Sequence, residues 1–331
     1  MGGVLITGGA GYIGSHVAKA LARIGREVIL YDNLSAGHRE AALGAPLIEG
    51  DIRDVEALRT AFRRHQVTAV MHFAALASVG DSVRDPAPYY RHNVEGTLSV
   101  LEAMAGESVK AFVFSSTAAV FGEPVSVPIT EAHPTRPINA YGETKLAVER
   151  ALGHFERAYG VRSVTLRYFN AAGADPGGQL GEDHDPEQHL IPLAIDAARG
   201  GAPLRVFGDD YPTPDGTCLR DYIHVVDLAD AHRLALESLE RDGGSACYNL
   251  GNGRPHSVKQ VIETVARVTG REVAWQMAPR RPGDPAALFA SNGKIQQELG
   301  WRPRYGDLQT IVETAWRWHR THPGGFAAGG R

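Results

Sequence analysis

The chain has 331 residues, 43% of them hydrophobic and 22% charged, a composition typical of a globular protein long enough for two domains. A formal net charge of -4 without Lys- or Arg-rich runs argues against a nucleic-acid partner. The sequence has no 18-residue apolar run, no signal-peptide pattern and only two cysteines, so we expect a cytoplasmic protein with no membrane anchor and no disulfide framework.

Short apolar runs alternate with amphipathic segments through the first half of the chain. Strands that alternate with helices indicate an α/β fold with a doubly wound, parallel sheet of the Rossmann type. The predicted strands are 4–7, 27–32, 47–51, 69–75, 110–116 and 163–169, and the predicted helices are 12–24, 54–65, 88–105 and 140–159.

After residue 171 a loop rich in Gly, Pro and Asp leads into shorter elements. We expect residues 1–173 to form a dinucleotide-binding domain, and residues 174–331 to form most of a smaller C-terminal α/β domain for the substrate. The segment 220–252 has the pattern of helix and strand that return to the main sheet.

A glycine-rich loop, "TGGAGYIGSH", follows the first predicted strand and opens the first predicted helix. Gly8, Gly11 and Gly14 have the spacing that permits a tight turn, close approach to a pyrophosphate and close packing of helix on sheet. The helix N-terminus then faces the anion. The alternative is a plain glycine-rich turn, which the flanking strand and helix disfavour.

Two acidic residues stand at predicted strand ends. Asp32 lies 18 residues after Gly14, where a carboxylate accepts both ribose hydroxyls and repels a 2′-phosphate, so the pattern favours NAD over NADP. Asp51 ends the third strand and is a candidate for the adenine amino group, although an Asp at this place often only caps a helix.

A tyrosine and a lysine, Tyr141 and Lys145, share the apolar face of the helix 140–159, although the chain has only five lysines. A phenol with a pKa near 10 is a poor base at neutral pH, and a nearby ammonium is expected to lower that pKa by about 1–3 units. Thr117 ends the preceding strand with a hydroxyl group. The three residues suit proton removal from an alcohol during hydride transfer, whereas the alternative is a half-buried phenol beside a lysine whose stem alone is buried.

These motifs extend into a family resemblance over nearly the whole chain. The sequence resembles the extended short-chain dehydrogenase/reductase family, and within it the UDP-glucose 4-epimerases. The segments that carry the resemblance include "LITGGAGYIGSH" (5–16), "YGETK" (141–145), "RYFNAAGA" (167–174), "VFGDDYPTPDGTCLRDYIHVVDLA" (206–229) and "RRPGDPA" (280–286).

The resemblance implies transient oxidation of a UDP-hexose at C4 by bound NAD and return of hydride to the opposite face, which interconverts UDP-glucose and UDP-galactose. Tyr141, Lys145 and Thr117 would be catalytic. The implied cofactor residues are Gly8, Gly11, Tyr12, Ile13, Gly14, Asp32, Asn33, Asp51, Ile52, Phe73, Ala74, Ala75, Asn93, Lys145 and Phe169. The implied substrate residues are Thr117, Tyr141, Asn170, His189, Leu190, Arg205, Val206, Phe207, Arg220, Arg281, Asp284 and Leu288.

Other activities are compatible with the same fold. A nucleotide-sugar 4,6-dehydratase needs an acid and a base after the strand-five Thr, where this chain has Ala118 and Ala119. Leu288 is intermediate in size at a position that limits bulk at the sugar 2-position, so epimerisation of N-acetylated sugars or pentoses stays open. A non-catalytic NAD sensor has no need for the Tyr–Lys pair.

Two further expectations concern a metal and a partner chain. The segment "EDHDPEQH" concentrates His184, Asp185, Glu187 and His189, but it lacks helical His spacing, so we expect a solvated loop and no metal. His189 also departs from the Asn that is frequent in the family near the substrate phosphates. The family commonly dimerises, and we expect a homodimer through helices 88–105 and 140–159.

Overall fold

The protein is described here by a computed structural model of residues 2–281 and 284–326. Strands and helices alternate in the first half of the chain, as the apolar pattern predicts. The strands are β1 (Gly3–Thr7), β2 (Val28–Asp32), β3 (Leu47–Glu49), β4 (Val67–His72), β5 (Ala111–Thr117), β6 (Arg162–Tyr168), β7 (Asn170–Ala172), β8 (Leu204–Phe207), β9 (Leu219–Arg220), β10 (Tyr222–His224), β11 (Ala246–Leu250), β12 (His256–Ser257), β13 (Trp275–Ala278) and β14 (Ala287–Leu288). The helices are α1 (Tyr12–Arg23), α2 (Val55–Arg64), α3 (Val79–Arg84), α4 (Ala87–Tyr89), α5 (Gly96–Gly106), α6 (Ala140–Tyr159), α7 (Leu190–Ala198), α8 (Val225–Glu240), α9 (Val258–Thr269), α10 (Gly293–Leu299) and α11 (Leu308–Thr321).

Seven parallel strands form the main sheet, in the order β3-β2-β1-β4-β5-β6-β11. This arrangement confirms the predicted doubly wound sheet. The strand order reverses between β1 and β4, and ligands of such sheets bind in the crevice at the carboxyl ends of the strands beside this reversal. The glycine loop, Thr117 and the end of β6 all lie at that edge.

Helices cover both faces of the sheet, because successive side chains of a strand point to opposite sides. On β1, Val4 and Ile6 pack into a buried cluster with α1 and α8, whereas Leu5 packs into a second cluster with α2, α5 and α6. Burial on both faces explains why these strands are almost continuously apolar. The strand β11, from the segment 220–252, pairs with β6 at one edge of the sheet.

The helix predicted at 88–105 is not regular. It begins as α4, passes through a π-helical stretch at Tyr90–Glu95 and continues as α5. A π-helical turn adds one residue to a helical repeat, and such turns are frequent at functional sites. The apolar pattern on either side remains helical, so the sequence alone does not reveal the irregular turn.

The later elements form a buried cluster of their own. Side chains from α7, β8, α9 and α11 pack together, and β10 pairs with β7 rather than with the main sheet. The strands β9, β12 and β14 form a small three-stranded sheet. Among the described residues, no helix is long and apolar enough to cross a membrane.

Candidate active site

The glycine loop connects β1 to α1 with little space for side chains. Gly8 has a φ of +68°, and a Cβ there would lie 2.6 Å from the Ala74 nitrogen. A Cβ on Gly14 would lie 2.2 Å from the Gly8 carbonyl oxygen. Gly11 is the N-cap of α1, no side chain caps this helix end, and its first turn contains no acidic residue. The first backbone N–H groups of α1 are therefore placed to bind an anion.

Asp32 is fixed beside this loop. Its carboxylate is 8% exposed and accepts hydrogen bonds from the Ala10 and Leu34 nitrogens, both at 2.9 Å. Each bond uses one oxygen, and a carboxylate oxygen has a second lone pair for a ribose hydroxyl. Asn33 is exposed and accepts hydrogen bonds from Ser35. The arrangement fits the adenosine ribose of a dinucleotide.

Asp51 lies just beyond β3 and has a partner within the chain. Arg53 donates to its two oxygens from Nε at 2.9 Å and from Nη2 at 2.6 Å. These hydrogen bonds lower the pKa of Asp51 to about 2. Ile52 is buried in the core cluster beneath α2. An adenine contact by Asp51 therefore competes with a bidentate ion pair that the sequence interpretation did not consider.

Tyr12 and Ile13 open α1, but their side chains pack inside the protein. The Tyr12 hydroxyl donates to the Gly173 carbonyl at 2.6 Å, and Ile13 packs against the core. At these positions, only the backbone N–H groups of Tyr12 and Ile13 are left to contact a pyrophosphate. Phe73, Ala74 and Ala75 follow the end of β4, which stops at His72 and not at residue 75 as predicted.

Asn93 lies in the π-helical stretch and is 2% exposed. Its amide exchanges hydrogen bonds with the backbone of Leu76, at 2.9 and 3.0 Å, and donates to Thr144 Oγ1 at 3.1 Å. These bonds hold the loop after β4 against α6. The structure thus gives Asn93 a positioning role within the predicted cofactor pocket.

Tyr141 and Thr117 meet at the carboxyl end of β5. The helix α6 begins beside that end, where Asn139 accepts a hydrogen bond from the Gly142 nitrogen at 2.8 Å and caps the helix. Burial raises the pKa of Tyr141 to about 12, and a hydrogen bond with Thr117 acts to lower it. The predicted lowering of the pKa is therefore wrong for this structure, because burial outweighs the stabilisation of the phenolate.

Lys145 lies one turn after Tyr141 and is 3% exposed. Its Nζ donates to the Ser115 carbonyl at 2.9 Å and lies 5.0 Å from the centre of the Phe114 ring. Burial lowers its pKa to about 7, whereas the charge of Glu149 acts to raise it. An ammonium has three protons, so two remain for other acceptors.

Sequence reasoning missed a buried ion pair beside these residues. Glu149 lies one turn after Lys145 and accepts from Arg167 Nε at 2.9 Å, from Arg167 Nη2 at 2.5 Å and from Ser116 Oγ at 2.6 Å. The side chains of Glu149 and Arg167 are 9% and 10% exposed, respectively. The i,i+4 spacing of Lys145 and Glu149 was the available signal, but Arg167 joins them only through the packing of α6 against β6.

Two tyrosines near the Tyr141 phenol were also missed. The hydroxyl of Tyr89 donates to the Ser78 carbonyl at 2.6 Å, and Tyr168 contacts Ser115 through its hydroxyl. The charge of an ionised Tyr89 acts to raise the pKa of Tyr141, and the charge of an ionised Tyr141 acts to raise the pKa of Tyr168. Tyr168 directly precedes Phe169, which packs beside Leu288 against the turn after Thr117. Two further phenols therefore lie close to the candidate catalytic group.

Several predicted substrate residues come together on β9 and β14. Leu288 is paired with Arg220, so β14 lies beside β9. Arg220 forms an ion pair with Asp284 and donates to the Pro285 carbonyl at 2.9 Å. The contact between Leu288 and the turn at 118–121 brings this group close to Thr117.

A second group of predicted substrate residues lies at the end of β8. The guanidinium of Arg281 lies 3.8 Å from the centre of the Phe207 ring, and that of Arg205 lies 5.1 Å from it. These distances are typical of cation–π contacts. Val206, which lies between Arg205 and Phe207 in sequence, is buried in the C-terminal core, so its side chain packs inward.

The remaining predicted substrate residues lie at the ends of β7 and α7. Asn170 donates from Nδ2 to the Asp221 carbonyl at 3.0 Å and so connects β7 to the chain before β10. Leu190 begins α7, and His189 is its N-cap residue. A helix start of this kind favours an anion.

The loop before α7 is not simply solvated, contrary to the sequence interpretation. Glu182 is 4% exposed, and the side chains of His184, Glu187 and His189 converge on it. Burial acts to lower the pKa of His184, but hydrogen bonds to Glu182 and Glu187 outweigh it and raise this pKa to about 10. Asp185 is exposed and lies outside the group.

Comparison with known proteins gives a consistent picture. Residues 4–251 match the model of the NAD dependent epimerase/dehydratase family. A UDP-glucose 4-epimerase of Halalkalibacterium halodurans is 54% identical over 325 residues, which cover 98% of this chain and 97% of that protein.

Two crystal structures have the same fold over nearly their full length. The UDP-glucose 4-epimerase from Brucella ovis in complex with NAD is 50% identical, with a TM-score of 0.94 and coverage of 96% of this chain and 98% of that one. The enzyme from Bifidobacterium longum in complex with NAD+ and UDP is 38% identical, with a TM-score of 0.93 and coverage of 98% and 100%. The chain therefore belongs to the NAD dependent epimerase/dehydratase family.

Proposed function

We propose that this protein is an NAD-dependent epimerase that interconverts UDP-glucose and UDP-galactose by inverting C4, without net oxidation or reduction. The observation that carries the proposal is the proximity of Tyr141 to Thr117 at the sheet edge that also holds the glycine loop, with the buried Lys145 one helical turn after Tyr141. The close similarity to UDP-glucose 4-epimerases supports this choice of reaction.

The cofactor site is inferred from the chemistry of its residues. The uncapped start of α1 suits a pyrophosphate, and the carboxylate of Asp32 suits a ribose. NAD, when bound by these residues, would supply the acceptor for the C4 hydride and the donor that returns it to the opposite face of the sugar. We assign Asn33, Ile52, the segment 73–75 and Phe169 to the same pocket, and we assign the adenine contact to Asp51.

Proton transfer is assigned to Tyr141, whose phenolate would take the proton of the C4 hydroxyl and whose phenol, formed in that step, would later return it. A raised pKa keeps this phenol protonated until a positive charge nearby favours the phenolate. The protonated form of Lys145 supplies such a charge and also donates to the nicotinamide ribose. Thr117 holds the reacting oxygen through its hydroxyl.

The UDP moiety is assigned to the two groups of residues on β8, β9 and β14. A guanidinium fork binds a diphosphate in a bidentate manner, which suits Arg220 and Arg281. Asp284 orients Arg220, and the ring of Phe207 supports Arg281. We also assign His189 and Leu190, at the start of α7, to the diphosphate. Tight binding of UDP leaves the hexose free to turn over during the reaction.

Two other activities of the same fold are less well supported. A 4,6-dehydratase requires an acid and a base after Thr117, and Ala118 and Ala119 carry no exchangeable proton there. Epimerisation of N-acetylated or pentose UDP-sugars depends on the space beside Leu288. We place the cofactor-binding part in residues 1–173 with 220–252, and the substrate-binding part in the rest of 174–331.

We further propose a cytoplasmic homodimer that uses the helical segment 88–105 and α6. Two large hydrophobic side chains on the first segment support a contact surface, since Tyr90 is 47% exposed and Leu98 is 37% exposed. Light scattering of the purified protein at micromolar concentration tests this assembly, and a monomer would refute it.

The activity is tested by incubating the purified protein with UDP-galactose and NAD. We expect UDP-glucose at equilibrium without accumulation of reduced cofactor, and a decrease of at least ~10²-fold in kcat for Tyr141→Phe. Tyr159→Phe, on the exposed end of the same helix, is the matched control and keeps its activity. A 4-keto-6-deoxy product would establish the dehydratase, and UDP-N-acetylglucosamine assayed in parallel tests the sugar range.

A further inference from the structure

The segment between β7 and α7 gathers four side chains, of which only His189 has a role in the proposed reaction. Glu182, His184, Glu187 and His189 each offer one ligand atom, and these atoms all lie within 4.8 Å of one another. Among residues 2–281 and 284–326, this is the one group of three or more His, Cys, Asp or Glu residues with such geometry. We propose that these four residues form a binding site for one zinc ion.

The distances within the group suit a small tetrahedral ion. The Nδ1 atom of His184 lies 3.4 Å from Glu182 Oε1 and 3.7 Å from Glu187 Oε1, and His189 Nδ1 lies 3.8 Å from Glu187 Oε1. Ligands at about 2.0–2.1 Å from zinc in tetrahedral geometry are separated by about 3.4 Å. The contact of His189 Nδ1 with Glu182 is shorter than this separation, and an ion between these two atoms requires a small shift of the exposed imidazole.

Each residue uses the same atom for both of its contacts within the group. Both imidazoles present Nδ1, and both carboxylates present Oε1. Two imidazole nitrogens with two carboxylate oxygens form a ligand set that favours zinc over magnesium or calcium, which prefer oxygen ligands alone.

The surroundings hold the ligands in place. Glu187 Oε1 accepts hydrogen bonds from the backbone nitrogens of Gln188 at 2.7 Å and His189 at 2.8 Å. The ring of His184 packs edge-on against Tyr12, with 6.3 Å between ring centres. Such outer contacts orient metal ligands and strengthen binding. Three of the four residues, Glu182, His184 and Glu187, also line a surface cavity beside Trp318, which gives an ion a path of entry.

The position of the group gives the ion a structural consequence. All four ligands belong to one short segment, so a bound ion closes the loop between β7 and α7. Tyr12, at the start of α1, contacts this loop on one side, and α7 begins on the other. A bound zinc ion therefore stabilises the loop that packs against Tyr12 and leads into α7.

The test uses the full-length protein after treatment with a chelator, followed by equilibrium dialysis against Zn²⁺ and elemental analysis. We expect one zinc per chain for the wild type and for the control variant His154→Asn, which changes an exposed histidine of α6. We expect at least tenfold weaker binding for the double variant H184N/H189N and for Glu187→Gln.

Replacement of zinc by Co²⁺ gives a second measurement that needs no variant. The wild-type protein is expected to develop the intense visible absorption of tetrahedral cobalt, in proportion to one equivalent. This measurement decides whether the four residues bind a tetrahedral ion even if the double variant does not fold. Two results would show that the group contains ion pairs only. One is that the chelator-treated wild type binds zinc no more tightly than Glu187→Gln does. The other is that the cobalt-loaded protein has only the weak absorption bands of octahedral cobalt.

Discussion

The buried pair of Glu149 and Arg167 gives the sharpest stability prediction. The change Glu149→Gln preserves the volume of the side chain but leaves the Arg167 guanidinium buried without its counter-charge. Both side chains are about one-tenth exposed, so solvent screens the loss only weakly. Removal of one partner of a buried pair costs ~3–5 kcal/mol. Because Gln still accepts one hydrogen bond, we expect the lower end, about 3 kcal/mol of unfolding free energy.

The assay is urea unfolding of the wild type and the variant, followed by circular dichroism. Glu56→Gln is the control, since Glu56 is 73% exposed and pairs with Arg59, and we expect a change of less than ~1 kcal/mol there. The double variant E149M/R167M is expected to be more stable than E149Q, because it leaves no unpaired buried charge. A stability of E149Q within ~1 kcal/mol of the wild type would refute this reasoning.

Three further predictions address the glycine loop, the ribose site and the pH dependence. Gly14→Ala places a Cβ 2.2 Å from a backbone oxygen and should abolish NAD binding by calorimetry, whereas Gly153→Ala, with no atom nearer than 3.6 Å, should keep NAD binding and gain up to ~1 kcal/mol of stability. Asp32→Ala should weaken NAD binding and reduce the preference for NAD over NADP, and an unchanged ratio would contradict the assignment. Burial lowers the pKa values of His16 and His232 to about 4 and those of His72 and His224 to about 3, so the unfolded chain binds more protons below pH 6.5. Stability should therefore fall as the pH decreases, by up to about 2 kcal/mol for each histidine at about pH 5, and urea midpoints that rise on acidification would contradict this sign.

Features that depend on local sequence were predictable. The glycine spacing, the helix limits of α6 and the positions of the first six strands follow from turn chemistry and apolar periodicity, which act over a few residues. Asp32 and the Tyr141–Lys145 spacing belong to the same class. The structure places Asp32 at the end of β2, beside the glycine loop, and Lys145 in the interior, as the pattern indicates.

Features that depend on packing between distant segments were not predictable. Glu149 and Arg167 lie 18 residues apart and meet only because α6 packs against β6. The pKa of Tyr141 was misjudged because the sequence identifies the neighbouring charge but not the depth of burial. In the same way, Glu182 is a loop residue by composition and is buried only through the folding of the later elements around it.

The most direct test of the proposed reaction follows the hydrogen atom at C4. UDP-galactose that carries deuterium at C4 is incubated with the purified protein and NAD, and the UDP-glucose formed is analysed by mass spectrometry and NMR. Transfer of hydride to a bound cofactor and back predicts that deuterium stays at C4, with no net reduction of the cofactor. Exchange of the deuterium with solvent, or formation of UDP-glucose without any cofactor bound, would contradict the proposal.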